Sequence, residues 1–307
     1  MDDSSKAGEV KKSILFIAIG IIIGGLTAYG IVRHVAIQRA EAEIARLVDR
    51  TPVLEEIRYG KIQVGLIRST FGMQDIQLRL TGFKEPIHID RIDLDISEPG
   101  HQIPPRAKAE IKGIHLSTRH GLFNPVRTDL EAMGYQDVAG LITLAYHYDA
   151  ADKRLNLNDV TIRADQMGSV RFDLGLTDLD LSNLVKKSSK PDIATLLTTV
   201  PMIGVAGGQL TYSDDSFLQR LLHRSAEQSG QKPSVYRLKF KEKLNQLLEM
   251  EKNERVRQIL STLKDFIDHP KSVTISLNPS KPVPVFQFLL MKNPVDFLEL
   301  LKVQVTI

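Results

Sequence analysis

The sequence predicts an α+β fold: an N-terminal transmembrane helix, then an antiparallel β-rich domain with a helical C-terminal insertion. Three observations carry that expectation. Residues 13–32 read SILFIAIGIIIGGLTAYGIV without one charged side chain. Residues 57–118 and again 141–181 alternate apolar and polar positions, the period of half-buried strands. Beyond residue 191 the spacing shifts to three-four, the period of amphipathic helices. The boundaries that follow are a short tail at 1–12, a transmembrane helix at 13–33 and a juxtamembrane helix at 34–51. An antiparallel β-sheet region then occupies 52–190, and a helical region closed by short C-terminal strands occupies 191–307.

The apolar run is long enough to span. About 20 residues at 1.5 Å rise cross a hydrocarbon core of roughly 30 Å. A cleaved secretory signal is the rival reading, but its apolar stretch is shorter, about 7–15 residues, and ends at a small-x-small site. Here the run continues into the helical pattern VAIQRAEAEIARLVDR until Thr51-Pro52. Lys6, Lys11 and Lys12 precede it and Arg33, Arg39, Arg46 and Arg50 follow, so the positive-inside count is nearly balanced. The orientation favoured puts the tail in the cytoplasm and the main domain outside, as a single-pass inner-membrane protein. Gly20 and Gly24 give a GxxxG spacing suited to helix contact.

Four strand-like runs open the β region: IRYGKIQVGL, MQDIQLRL, PIHIDRIDLDI and AEIKGIHL. In the third the phase slips, because Ile87 and Ile89 share one parity while Ile92, Leu94 and Ile96 share the other. A β-bulge near Arg91 repairs it. Thr128-Asp-Leu-Glu131 has the form of a capping box, with Gly134 as the stop. LITLAYHYD, LNLNDVTIRA and SVRFDLGLTDLDL then form a second strand block around a turn at Asp149–Arg154. Short, locally connected strands of this kind argue for antiparallel pairing. Further on, Ser216-x-x-Gln219 suggests a second helix cap. Leu244, Leu247, Leu248, Val256, Ile259, Leu260, Leu263 and Phe266 mark a helical region over roughly 234–267. SVTISLNP and LKVQVTI bracket an apolar stretch, PVPVFQFLLMKNPVDFLELL, read as core packing against the terminal strand in preference to a lipid- or partner-binding surface.

Composition removes several functions. The chain of 307 residues has no cysteine, which excludes disulfides, thiolate catalysis and Cys-based metal sites. Its net charge of +3, absent Trp and 6% aromatic content lack the basic stripe and stacking platforms of a nucleic-acid binder. There is no Walker loop, GxGxxG or HExxH. His115, His120 and His147 have no nucleophile beside them in sequence. His88 and Asp90, with Asp93 or Asp95, project from one strand face and have metal-ligand chemistry, but the solvent face of an amphipathic strand explains them more simply. Asp149 and Asp152 flank a turn, where aspartate serves its own backbone. Gly204-x-x-Gly207-Gly208 reads as a flexible bend. No catalytic, cofactor or metal residue is assigned, and an enzyme is not expected. Strand parity does single out Ile142, Leu144, Tyr146, Leu155, Leu157, Ile162, Phe172 and Leu174 as one apolar set, the candidate lipid-facing residues.

The segment YGKIQVGLIRSTFGMQDIQLRL with PIHIDRIDLDI, just after the apolar run, resembles the AsmA-like, N-terminally anchored β-rich envelope proteins of Gram-negative bacteria. LAYHYDAADKRLNLNDVTIRADQMGSVRFDLGLTDLDL and SVTISLNPSKPVPVFQFL are similar to uncharacterised proteobacterial envelope proteins with one N-terminal anchor. The resemblance implies a non-enzymatic, membrane-anchored envelope protein in the periplasm, with a part in lipid handling or envelope integrity. Its partners would be the membrane and a lipid ligand or an envelope protein, with no cofactor and no nucleic acid. A membrane-tethered protein-interaction or assembly module is the alternative, and a membrane-tethered hydrolase a third reading.

Overall fold

The computed structural model describes residues 37–42, 44–46, 48–49, 51–65, 69–98, 103–181, 200–291 and 293–307. Its strands are β1 (Leu54–Arg58), β2 (Lys61–Gly65), β3 (Thr70–Leu80), β4 (Ile87–Ile96), β5 (Arg106–Ser117), β6 (Asp137–Asp149), β7 (Arg154–Ala164), β8 (Gly168–Thr177), β9 (Gly204–Asp214), β10 (Ser272–Leu277), β11 (Val283–Pro284) and β12 (Gln304–Thr306). All twelve belong to one antiparallel sheet in the order β1-β3-β4-β5-β6-β7-β8-β9-β10-β12, with β2 beside β3 and β11 beside β9. From β3 to β10 the chain adds each described strand next to the one before it. Antiparallel neighbours need only short connections, so this meander is what a run of alternating segments produces.

This corrects the expected fold class. The sheet does not stop at residue 190 to give way to a helical region: β9, β10 and β12 continue it, and the helices are excursions from it. Among the described residues no helix is long and apolar enough to cross a membrane. The segment 13–33, where a transmembrane helix was expected, lies outside the described residues.

Helix α1 covers described positions of residues 37–49. Six described helices follow: α2 (Arg127–Ala132), α3 (Phe217–Gln228), α4 (Pro233–Met250), α5 (Glu254–Asp268) and the short pair α6 (Val285–Leu290) with α7 (Pro294–Leu300). Helix α1 lays Ile37, Ala40 and Ile44 against a cluster of Ile62, Met73, Ile76 and Ile89 at the β1–β4 end. Leu130 and Met133 of the α2 region, with Tyr135, pack on Met167 and Phe217. At the other end Val283, Leu301 and Val303 close against Ile259, Phe288 and Leu298. The apolar stretch over 282–301 thus contributes Val283 and Leu301 to the core, while its Leu290 stays exposed.

Local details differ from the sequence reading in instructive ways. The α2 helix starts at Arg127 with Val126 as its N-cap and no side-chain cap bond, so Thr128 lies inside the first turn and the capping box does not form. Ser216 makes no cap bond to α3 either. Its hydroxyl donates to the Gln166 carbonyl at 2.6 Å, and the Asp214 carboxylate accepts from Leu218 N–H at 2.9 Å instead. The helical region over 234–267 is two helices, broken at Asn253, whose side chain accepts from the Arg255 and Val256 amides. The phase slip in β4 falls at Asp90, one residue before Arg91. Its neighbours slip with it: Asp75 and Gly113 both have positive φ, at 54° and 61°. Three strands thus share one irregularity, and Ile89 and Ile92 both reach the same core cluster.

Candidate functional site

The pairing register sorts side chains onto two faces, since residues directly opposite in a ladder share a side. One row runs Ile62, Met73, Ile92, Ile111, Ile142, Ile162, Val170, Tyr212 and Val273, one residue from each strand β2 to β10. Beside it Val160, Phe172, Leu210, Ile275 and Val305 align across β7–β10 and β12. A third row holds Ile96, Ala107, Tyr146, Leu157, Leu174, Gly208 and Leu277. None of these positions carries a charge. At about 4.8 Å per strand the first row extends roughly 38 Å.

The opposite face is polar. Gln63, Gly72, Asp93, Glu110, Thr143, Thr161, Arg171, Thr211, Thr274 and Thr306 make the corresponding row. Arg91 donates to both Asp93 oxygens at 2.7 and 2.8 Å, and the Thr211 and Thr274 hydroxyls meet at 3.0 Å. The Arg91 hydrogen bond holds the Asp93 carboxyl below the usual carboxylate range.

All eight residues of the parity set stand on the apolar face. Ile142 pairs with Ile111 and Ile162, Tyr146 with Leu157, Leu157 with Leu174, Leu155 with Tyr148 and Leu176, and Phe172 with Val160 and Leu210. The strand β7 keeps them together only because it bulges at Asn158-Asp159, where Asp159 adopts φ 52° and the register shifts between Leu157 and Val160. Without that extra residue Val160 and Ile162 would turn to the polar side. Leu144, at the matching shift in β6, is 37% exposed and Ile162 49%. Leu210 and Ile275 are paired neighbours and both are exposed. Val160, by contrast, is buried at 4%. Burial raises the Tyr146 phenol above its ordinary value, which reports the apolar surroundings of that position.

The two ends of this face are covered and its centre is less so. Helix α1 packs on the β2–β4 end. Phe266 of α5 meets the Tyr212 ring edge-on at 6.1 Å, and Tyr212 turns its hydroxyl to the Met167 carbonyl and to Asp214 at 2.6 Å. Burial, then the Asp214 hydrogen bond, push that phenol well above its ordinary value. Between the ends, Leu144, Ile162, Leu210 and Ile275 present the largest exposed apolar side chains of the face. Val160, Leu210, Ile275 and Ile111 were not singled out by parity within one strand; the alternation in GGQLTYS and SVTISL contains the signal, but only the register joins it to β6–β8.

The remaining candidates resolve as structure. His88 stands opposite His115, whose Nε2 lies 3.6 Å from the Asp90 carboxylate, and Asp93 is occupied by Arg91. Among the described residues no group of three His, Asp or Glu side chains is placed to hold a metal ion. Asp149 accepts from the Ala151 and Asp152 amides, the turn role. His120 is buried, with Nε2 at 2.9 Å from the Glu85 carbonyl, Nδ1 accepting from Leu122 N–H, and Phe83 stacked on its ring. His147 pairs with Arg106 and Asn156 on the polar face. Gly204, Gly207 and Gly208 lie within β9, where Gly207 has a positive φ of 155° at a register shift against β8 and a side chain on Gly208 would press the Asp173 carbonyl.

No curated protein matches the chain. No link to the AsmA-like proteins emerges from the comparisons, and the membrane, AsmA-like and lipid-binding terms attached to that resemblance gain no support from them. A family model described only as "Uncharacterized protein" matches residues 161–307, which begin inside β7 and take in the last strands of the apolar face.

Proposed function

We propose that the chain is a non-enzymatic binder of lipid acyl chains, which lie along the apolar face of its sheet. The observation that carries this reading is the uncharged row from Ile62 to Val273, with Leu144, Ile162, Leu210 and Ile275 exposed beside it or within it. A contiguous apolar surface of that kind is rare on a protein without a partner for it. Acyl chains fit it because the face offers few directional groups: Tyr146, and the Tyr148 and Tyr212 hydroxyls, which are already bonded to protein. Each methylene taken from water contributes about 0.8 kcal/mol, so ten give a gross ~8 kcal/mol. Association itself costs about 4–15 kcal/mol, so only long chains bind with useful affinity. An extracytoplasmic setting and a role in lipid handling are part of the same proposal.

The test is to purify the full chain, extract it with organic solvent and look for phospholipid by mass spectrometry, then to repeat this with Leu144→Asp and Ile162→Asp. Lipid is expected with the unmodified sequence, and folded, lipid-depleted protein from the variants. Lipid-free unmodified protein with both variants unfolded would overturn the proposal and leave an interaction module as the better reading.

A further inference from the structure

A cavity of about 770 Å³ opens between helices α3 and α4, away from the sheet rows. Small-molecule sites are commonly 300–1,000 Å³ in size. Four of its lining residues are Arg220, His223, Arg237 and Lys241; Leu222 and Leu238 supply an apolar wall, and no carboxylate lines it among the described residues. Leu238 is 58% exposed, so its side chain is open to a ligand.

Three of the basic groups have partners outside the cavity. The Arg220 guanidinium lies 4.6 Å over the Tyr135 ring and donates to the Met133 carbonyl at 3.0 Å and to Gln166 Oε1 at 3.4 Å. None of those partners carries a charge, so its positive charge is left uncompensated by them. Lys241 Nζ is fixed at 2.7 Å from Asp268, and His223 Nδ1 lies 3.3 Å from Glu227. Two carboxylates outside the cavity thus stand against four basic residues within it. Arg237 is half-buried in the cleft and near enough to Asp268 to lower its carboxyl, after the Lys241 hydrogen bond that dominates.

We propose that this cleft binds a phosphate monoester attached to an apolar group. A monoester carries about −1.5 to −2 charge near pH 7 and three acceptor oxygens, which suits guanidinium donors better than a single carboxylate does. The Leu222–Leu238 wall then lies beside the carbon chain. Two sources share this chemistry: the headgroup of a phosphatidic-acid-type lipid, and a soluble phosphate ester. The site does not depend on the acyl-binding face, so Leu144→Asp leaves it intact.

The experiment is isothermal titration of the full chain with dihexanoyl phosphatidic acid below its micelle concentration. Dihexanoyl phosphatidylcholine, glycerol 3-phosphate and inorganic phosphate are titrated alongside. Phosphatidic acid is expected to bind, to weaken as salt rises, and to weaken at least tenfold in Arg237→Gln. A second variant, His223→Glu, sets a carboxylate at the exposed mouth and should have the same effect; it serves if Arg237→Gln melts abnormally by circular dichroism. Leu238→Ser should weaken phosphatidic acid while leaving inorganic phosphate unchanged. Glycerol 3-phosphate binding as tightly as phosphatidic acid would assign the cleft to a soluble ester and overturn the apolar half of the proposal. Phosphatidylcholine binding equally well, no binding of any phosphate, or unchanged affinity in a folded Arg237→Gln would overturn it entirely.

Discussion

At the scale of single residues, the polar face of the sheet is held by local ion pairs whose worth depends on pH. Asp93 sits between Arg91, which donates to both of its oxygens, and the β5 partner Glu110, whose own carboxylate is 3.2 Å from Lys112. The folded-state pKa of Asp93 is depressed, chiefly by the Arg91 hydrogen bond. The sign follows from linkage: stability contributed by the ionised carboxylate is fully present above the unfolded pKa and is lost as pH falls through the lowered folded one. Both side chains remain partly exposed, at 43% and 32%, so solvent screens the pair. Exposed pairs contribute about 0.2–1 kcal/mol. Asp93→Asn should therefore lower the urea midpoint slightly near pH 7, and the difference from the unmodified chain should vanish near pH 2. A difference that persists in acid would mean that Asp93 acts through packing and not charge. The same scale explains why the β4 slip beside Arg91 was visible in sequence while its match in β5 was not. Alternation reveals that Ile89 and Ile92 must share a face; it contains nothing about Gly113 in β5, whose positive φ leaves room for the Asp90 carboxylate where a Cβ would overlap it.

At the scale of elements, the strands and several helix ends were legible, and the bonds that cap the helices were not. Ile142, Leu144, Tyr146, Leu155, Leu157, Ile162, Phe172 and Leu174 came from period-two alternation, and the register sets all eight on one face. Strict alternation along β7 would turn Ile162 away from Leu155 and Leu157; the bulge at Asn158-Asp159 is what returns it to their face. Helix caps fared differently. Thr128 and Ser216 have cap chemistry, yet neither makes a side-chain cap bond: Thr128 lies inside the first turn, and Ser216, though at the N-cap position, gives its hydroxyl to Gln166 fifty residues away in sequence. The break between α4 and α5 lacks Gly or Pro, so the three-four spacing reads straight through it. Asn253 makes that break, accepting from Arg255 N–H at 2.9 Å and Val256 N–H at 3.1 Å. Removing an N-cap side chain costs about 0.5–2 kcal/mol. Asn253→Ala should lose stability of that order in chemical denaturation, and Asn253→Asp should restore most of it. Equal loss in both variants would assign the effect to the loop and not the cap.

At the scale of the whole molecule, the sheet's continuity was the feature hardest to see from the sequence. GGQLTY looks like a brief strand after a helical interruption, because glycine is a poor strand former. In the fold it is part of the eleven-residue β9, and Gly208 is needed where the Asp173 carbonyl approaches. Once β9 and β10 join β8, the apolar rows run on to Leu210 and Ile275, and the face becomes too wide to be covered by the helices at its two ends. Whether that face meets lipid or protein is a question about energy, and two residues of β7 ask it under matched conditions. Val160 and Ile162 lie on the same face of the same strand, at 4% and 49% exposure. An aspartate at 160 puts an unpaired charge where water is excluded, at a cost of about 3–5 kcal/mol by analogy with a broken buried pair. That is a large share of the 5–15 kcal/mol that holds a typical domain folded, so Val160→Asp should unfold or nearly unfold the protein. At 162 the carboxylate stays solvated, and exposed substitutions typically shift stability by within about ±0.5 kcal/mol. Ile162→Asp should therefore keep the melting temperature almost unchanged while acyl-chain binding falls. Binding of the unmodified protein to fatty acids of increasing length supplies the second half of the measurement. About 0.8 kcal/mol per methylene predicts up to roughly fourfold tighter binding for each carbon added. If affinity is flat with chain length, or Ile162→Asp unfolds as Val160→Asp does, the face is closed by protein and the acyl-binding reading fails.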